Sequence, residues 1–387
     1  MASGLRAKLN AISAAQPRVE RRPARTGGVA LFSSERPADV RLFSLDASAL
    51  RRIGWGSRAF DIRRLLFLDT ETTGLSGGAG TVAFLVGLGY LRGDRFVVEQ
   101  LLMRDYPDEA EMLGAIAARM REFDAVCSFN GKNFDLPLLK ARFAMCRMQD
   151  DWRDPEQLDL LYPARRTWRM RIGSCRLSRI EEIILGQGRE HDLPGSEVPQ
   201  RYFDYLRSGD MALLTDIVDH NRQDILTLGT LLAELCQIYA HPESQRDRRD
   251  LLSIGKALEN QGELGVAREV YRVAAIPAPA GRLPQLYAGE AAAQAAWRAY
   301  LLERRCRNVE AMREALERMA VRRQMRDRIY LELAKLYEHR YKNPRRALRY
   351  ADLALHYAAP SDVEAINARR ARLKRKIEAK GLEEMQL

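Results

Sequence analysis

The stretch Leu65-Leu66-Phe67-Leu68-Asp69-Thr70-Glu71-Thr72-Thr73-Gly74 decides how this chain is read. Four apolar residues in a row predict a buried strand over Leu65–Asp69. Asp69 and Glu71 follow at spacing two, so both carboxylates point to one side of the strand end. Adjacent acids repel each other, and a divalent cation between them relieves that repulsion. Mg²⁺ and Mn²⁺ prefer such oxygen ligands. Two solvated acids at a strand-to-loop turn would give the same letters, so the rest of the chain has to decide.

Outward from this stretch the chain predicts a mixed sheet. Thr81–Leu91 and Phe96–Met103 read as two further strands, turned by Arg92-Gly93-Asp94-Arg95. Short connections favour antiparallel neighbours. Ser76-Gly77-Gly78-Ala79-Gly80 is a loop that leaves room for close backbone approach. It lacks the Gly-Lys-Ser/Thr ending of a phosphate loop. Pro107–Phe123 predicts a helix with Met112, Ile116 and Met120 on one face. Asp124–Asn130 predicts a short strand, and Asn133–Met148 a second helix. A three-strand meander followed by strand–helix alternation indicates an α/β sheet with mixed pairing.

A second acidic station is Ser128-Phe129-Asn130-Gly131-Lys132-Asn133-Phe134-Asp135-Leu136-Pro137. It falls where a strand hands over to a helix, the place where open α/β sheets put their ligands. Asn130 offers an amide to orient a ligand. Phe134 suits either stacking or anchoring of the helix. Asp135 suits either a ligand site or a helix cap. A third station, His220-Asn221-Arg222-Gln223-Asp224, lies in the long helical run Met211–Tyr239. His220 and Asp224 are four apart and share a helix face. There Asp224 suits a metal, and His220 suits taking a proton from a water.

Between the last two stations, Arg165, Arg166, Arg169, Arg171, Arg176 and Arg179 precede any acid, with Trp168 among them. Arginines interleaved with an aromatic suit phosphate contact with base stacking. A solvated helix face would carry the same residues.

The chain has 387 residues and a net charge of +11, unevenly spread. Residues 1–64 carry +8, residues 65–240 carry −7 and residues 241–387 carry +10. An acidic middle with basic flanks fits a carboxylate site acting on an anionic substrate. The length predicts more than one core. Residues 1–40 read as a flexible basic tail, residues 41–242 as the α/β unit, and residues 246–387 as helices. The five cysteines form no C-x-x-C pair, which argues against a zinc site or disulfide framework and for a reducing compartment. No apolar run reaches membrane-spanning length, and the N-terminus lacks the apolar core of a signal peptide. These features predict a cytoplasmic protein with no membrane partner.

Taken in order, D-x-E, N-x-x-x-F-D and H-x-x-x-D resemble the three exonuclease motifs of the DEDD superfamily, which has a ribonuclease-H-like fold. The Asn130…Phe134-Asp135 spacing is similar to the proofreading domain of family B DNA polymerases. Residues from about 40 to 240 more closely resemble the YprB-like ribonuclease-H-like proteins of bacteria. The matching stretches are Phe67–Leu75, Phe129–Pro137 and His220–Asp224. The fold implied is α/β: a ribonuclease-H-like mixed sheet flanked by helices, followed by an all-α helical-repeat region.

The resemblance implies Asp69, Glu71, Asp135 and Asp224 as ligands for two divalent cations, Mg²⁺ or Mn²⁺. It implies catalytic roles for these acids and His220 in 3′–5′ hydrolysis of DNA or RNA at a single-stranded 3′ end. Two such ions lie roughly 3.5–4 Å apart, one activating water and the other stabilising the leaving oxygen. Candidate substrate contacts are Thr72, Asn130, Phe134, Arg165, Arg166 and Arg169. There is one departure from the pattern. The superfamily's His form has four residues between His and Asp and its Tyr form has three; His220 stands at the Tyr form's spacing. Base, water-orienter and spectator all remain open for it. A nucleic-acid-binding scaffold with little turnover and a structure-specific endonuclease are the alternatives.

Beyond about Arg246 the pattern is helical. Ile254–Glu259 leading to Ala267 and Tyr271 resembles Leu333–Glu338 leading to Ala347 and Tyr350. Small residues where paired helices approach look like tetratricopeptide-type hairpins. About three are expected, with Ala291–Arg307 and Glu310–Ala320 as the middle pair. Such a surface would take a protein partner or, given its charge, a nucleic-acid strand.

Overall fold

The computed structural model describes residues 28–56, 60–74, 80–189, 193–276, 285–320 and 326–384. Six strands form one mixed sheet: β1 (Val29–Pro37), β2 (Leu65–Thr72), β3 (Ala83–Arg92), β4 (Arg95–Met103), β5 (Ala125–Ser128) and β6 (Glu156–Asp159). Their spatial order is β1-β4-β3-β2-β5-β6. β2 is central. It pairs antiparallel with β3 and parallel with β5. β1 to β4 make the antiparallel part, and β6 pairs parallel with β5.

The apolar run of β2 is explained by cover on both faces. Leu65 and Phe67 enter one core, with Leu228, Leu231, Leu232 and Leu235. Those leucines belong to α7 (Thr215–Ala240), which among the described residues follows α1 (Ala47–Ile53), α2 (Glu109–Met120), α3 (Asp135–Met145), α4 (Leu161–Ile172), α5 (Leu177–Ile180) and α6 (Val198–Ser208). Leu66 and Leu68 enter the other core, with Met112 and Ile116 of α2 and Leu139 and Phe143 of α3. The period of two continues into the acids. Asp69 and Glu71 follow the parity of Leu65 and Phe67, toward α7. Thr70 and Thr72 follow the other parity.

Two glycines of β3 bring α7 close. A Cβ at Gly87 would lie 2.3 Å from Asn221 Oδ1 and 2.8 Å from Ile225 Cγ1, and one at Gly89 would lie 2.5 Å from Ile225 Cγ2. Gly87 is the direct cross-strand partner of Asp69. The smooth strip on β3 therefore sets the third station of the sequence down beside the first.

After α7 the described chain is helical: α8 (Arg248–Asn260), α9 (Leu264–Ala275), α10 (Gln285–Arg305), α11 (Val309–Ala320), α12 (Arg326–His339), α13 (Pro344–His356) and α14 (Val363–Glu384). Gly255 of α8 lets Tyr271 of α9 approach, since a Cβ there would meet the ring at 2.4 Å. The buried Glu338 of α12 accepts from Arg369, Arg372 and Lys376 of α14. The first core does not stop at α7. It continues through Leu251, Leu252, Leu258, Tyr271, Ala295 and Leu302. Arg52–Glu263 (2.7 Å) and Arg171–Asp250 (2.8 Å) cross the same boundary.

Several expectations are corrected. The basic tail ends earlier than residue 40, because Val29–Pro37 pairs along all of β4 from Met103 to Arg95. Residues 1–27 of that tail lie outside the described residues. β2 extends to Thr72, so Glu71 sits inside the strand rather than beyond it. β6 and α6 are elements the sequence reading lacked. Leu177–Leu185, whose letters predict one helix closed by Gly186, is one short helical turn followed by a π turn over Glu181–Leu185. Most of the glycine loop, at residues 75–79, and His191 and Asp192 also lie outside the described residues.

Candidate metal centre

Four acids from three separate segments gather at the carboxyl end of β2. The strand supplies Asp69 and Glu71, the first turn of α3 supplies Asp135, and α7 supplies Asp224. One ligand atom each from Glu71, His220 and Asp224 lie within 4.8 Å of one another. The remaining acids feel the same charges. The carboxyl of Asp69 is pushed well above its usual range, first by burial and then by Asp224, Asp135 and Glu71. Glu71 is pushed up to about 8 by burial, then by Asp224 and Asp135. Asp135 rises to about 6 through burial, against the pull of the Thr70 hydroxyl. Burial raises Asp224 against the pull of His220 and Arg189. Carboxylates that cannot all ionise without a cation are what a divalent metal site requires, so this donor set fits such a group.

Asp69, Asp135 and Asp224 are each held by a neighbour. Thr70 Oγ1 donates to Asp135 Oδ1 at 2.5 Å. Asn221 Nδ2 donates to Asp69 Oδ2 at 2.9 Å. The buried Gln100 of β4 in turn donates to Asn221 Oδ1 at 2.9 Å and to the Val218 carbonyl at 2.8 Å. The loop before Asp135 is clamped by Asp159 at the end of β6. Its carboxylate accepts from the amides of Asn130 (2.8 Å), Lys132 (3.2 Å) and Leu161 (3.0 Å). Asn130 has φ 70°, a left-handed conformation that Asn tolerates. Gly131 is also required there, since a Cβ would lie 2.4 Å from Ser128 Oγ and 3.2 Å from Asp135 Oδ2.

A basic residue completes the cluster. Arg189 donates through Nε to Glu181 Oε2 at 2.6 Å, through one terminal nitrogen to Asp224 Oδ1, and through the other to His220 Nδ1 at 2.7 Å. Glu181 is fully buried and also accepts from Thr227 Oγ1. A guanidinium can only donate, so Nδ1 of His220 is the acceptor and its N–H is assigned to Nε2. That N–H faces Asp224 Oδ2 at 3.4 Å.

The substrate candidates divide. Thr72 turns its hydroxyl onto the Gly74 carbonyl at 2.7 Å. Asn130 is exposed beside the loop, and Phe134 is half-buried immediately before Asp135. Arg165, Arg166 and Arg169 are exposed on α4 and make no hydrogen bond or ion pair with the four acids. Arg166 instead donates to the Ile53 carbonyl at 3.1 Å. Trp168 is 1 % exposed and belongs to the core, which corrects the reading of it as a stacking platform. The cap reading of Asp135 gives way to its contact with Thr70. Sequence reasoning missed Arg189, Glu181, Gln100, Asn221 and Asp159 as members or supports of the site. Gln100 left a signal, a neutral amide between Glu99 and the apolar Leu101-Leu102-Met103 end of β4. Arg189 left none, because its partners at the site, His220 and Asp224, are 31 and 35 positions away and share no helix with it.

Residues 66–236 match the family model described as RNase_H superfamily. The fold of that region is ribonuclease-H-like. Over 328 residues the chain is 28% identical to a Bacillus subtilis (strain 168) protein named "Uncharacterized protein YprB", with 83% of this chain and 76% of that protein covered. Among solved structures it is similar to the family B DNA polymerase from the hyperthermophilic archaeon Pyrobaculum calidifontis, with a TM-score of 0.36 and 15% identity. That match covers 59% of this chain and 32% of the polymerase chain, so about a third of the polymerase is spanned. No helix among the described residues is long and apolar enough to cross a membrane.

Proposed function

We propose that this protein is a divalent-cation-dependent nuclease that hydrolyses phosphodiester bonds of DNA or RNA, acting 3′ to 5′ on single-stranded ends. The observation that carries the reading is the convergence of Asp69, Glu71, Asp135 and Asp224, each pushed upward in pKa, at one strand end of a ribonuclease-H-like sheet. These acids would hold two Mg²⁺ or Mn²⁺ ions. When bound, such ions supply an activated water and stabilise charge on the leaving oxygen.

The chain's own residues set the geometry. Thr70 fixes the Asp135 carboxylate, and the Gln100–Asn221 pair fixes that of Asp69. His220 Nε2 lies 3.4 Å from Asp224 Oδ2, close enough to help orient that carboxylate. Moving a proton to or from the site would require His220 to be released from Arg189. Asp159 shapes the loop that offers Asn130 and Phe134 to the strand end. Arg165 and Arg169, exposed on α4, would meet the phosphate backbone farther out. We assign residues 41–242 to the nuclease unit, with β1 added to it, and 246–387 to a tetratricopeptide-like helical unit that takes a protein partner or the substrate strand.

The test is incubation of the purified protein with end-labelled single-stranded DNA or RNA and Mn²⁺, beside an Asp69→Ala, Glu71→Ala double variant. Stepwise shortening by the wild type alone supports the reading. Tight retention without cutting supports a second reading, a binding protein with little turnover. The Arg189–Asp224 ion pair favours that second reading, because it occupies one of the four carboxylates.

A further inference from the structure

Arg189 is not one of the acids' expected companions, and its placement is specific. Among the described residues, Glu181 at Nε and His220 and Asp224 at the two terminal nitrogens converge on one largely buried guanidinium. Both terminal nitrogens therefore face the candidate metal centre. The Nε end is fastened behind it, because the Glu181 carboxylate is fully buried and accepts from both Thr227 and Arg189. Electrostatically the guanidinium does part of what a divalent cation would do, lowering the cost of charge on Asp224.

We infer that Arg189 is a built-in counter-cation that competes with the divalent ion for Asp224 and, once displaced, stays tethered to Glu181 with its terminal N–H groups turned to the substrate phosphate. The inference rests on the metal-dependent reading above and adds a residue to it. The exchange follows from the donor geometry. Asp224 Oδ1 cannot serve a guanidinium and a metal at full strength together. The buried Glu181 keeps the side chain from leaving, since an unpaired buried carboxylate is costly. A fork of N–H donors released in place matches two phosphate oxygens.

The test is direct binding of Mn²⁺ alone to the full-length protein, followed by electron paramagnetic resonance and titration calorimetry without substrate. Arg189→Gln is expected to bind Mn²⁺ on the order of tenfold more tightly than the wild type, because the resident cation no longer competes. In the presence of Mn²⁺, the same variant is expected to lose affinity for a single-stranded phosphorothioate oligonucleotide by about tenfold. The double variant Glu181→Gln, Arg189→Gln removes the carboxylate that the single change would orphan, and keeps the measurement readable if the single variant does not fold. Equal or weaker Mn²⁺ binding by folded variants, with the wild type binding normally, overturns the role of Arg189 and leaves the metal reading intact. Absence of Mn²⁺ binding to every form overturns both.

Discussion

Glu71→Gln removes one charge from a cluster that repels itself, and its effect can be worked through. The Glu71 carboxyl has an ordinary value of 4.5 and is pushed up to about 8 by burial and by Asp224 and Asp135. In the metal-free fold near neutral pH it therefore keeps its proton, while the unfolded chain releases it. The sign follows from this difference. The folded state binds more protons, so stability falls as pH rises from the unfolded value toward the folded one. Each unit of difference is worth about 1.4 kcal/mol, so the cost near neutrality is about 3 kcal/mol and its limit above the folded value is about 5 kcal/mol. Glu71→Gln escapes that cost. Urea unfolding in chelator, followed by circular dichroism, should show the variant up to about 3 kcal/mol more stable near neutrality, with the advantage vanishing near pH 4. Added Mn²⁺ should reverse the order, since only the wild type gains a strong ligand set. A variant that is less stable in chelator, or whose gain is the same at every pH, would refute the picture of mutually repelling acids.

Other expectations follow from the same geometry. Asp135→Ala or Asp224→Ala should abolish turnover while leaving the circular dichroism spectrum and cooperative unfolding intact; unfolding of both variants would mark these acids as structural. Gly87→Ala should cost about 1–3 kcal/mol in unfolding experiments and lower Mn²⁺ affinity, because its Cβ meets Asn221 and Ile225. Gly255→Ala should destabilise by a similar amount through Tyr271 but leave the Mn²⁺ affinity of the folded protein unchanged. Replacing Arg165, Arg166 and Arg169 by Ala should lower the salt slope of single-strand binding by about 2, and an unchanged slope would remove α4 from the substrate path.

Much of this arrangement was legible in the letters because it is local and periodic. The run Leu65–Leu68 declares a doubly covered strand, and spacing two puts Asp69 and Glu71 on one side. The four-residue step from His220 to Asp224 declares a shared helix face. The edge strand Val29–Pro37 was hidden because Ser33, Ser34, Glu35, Arg36 and Pro37 suit an exposed edge and read as a polar tail. β6 was hidden by its four-residue length. Trp168 was misread because alternation with arginines describes both a stacking surface and an amphipathic helix, and only packing separates them. Arg189 was invisible because an ion pair across 35 positions leaves no periodic trace.

The apolar core that passes from Phe67 and Leu228 through Leu251 to Tyr271 and Leu302 makes the two parts of the chain one piece of material. A fragment cut after α7 would carry a raw greasy flank, with α4 stripped of α8, the helix that packs on it and whose Asp250 pairs with Arg171. It would invite clumping before any question of chemistry arose. The helical half is thus part of the floor on which the acids stand, and a strand or protein gripping that half would press on the same floor.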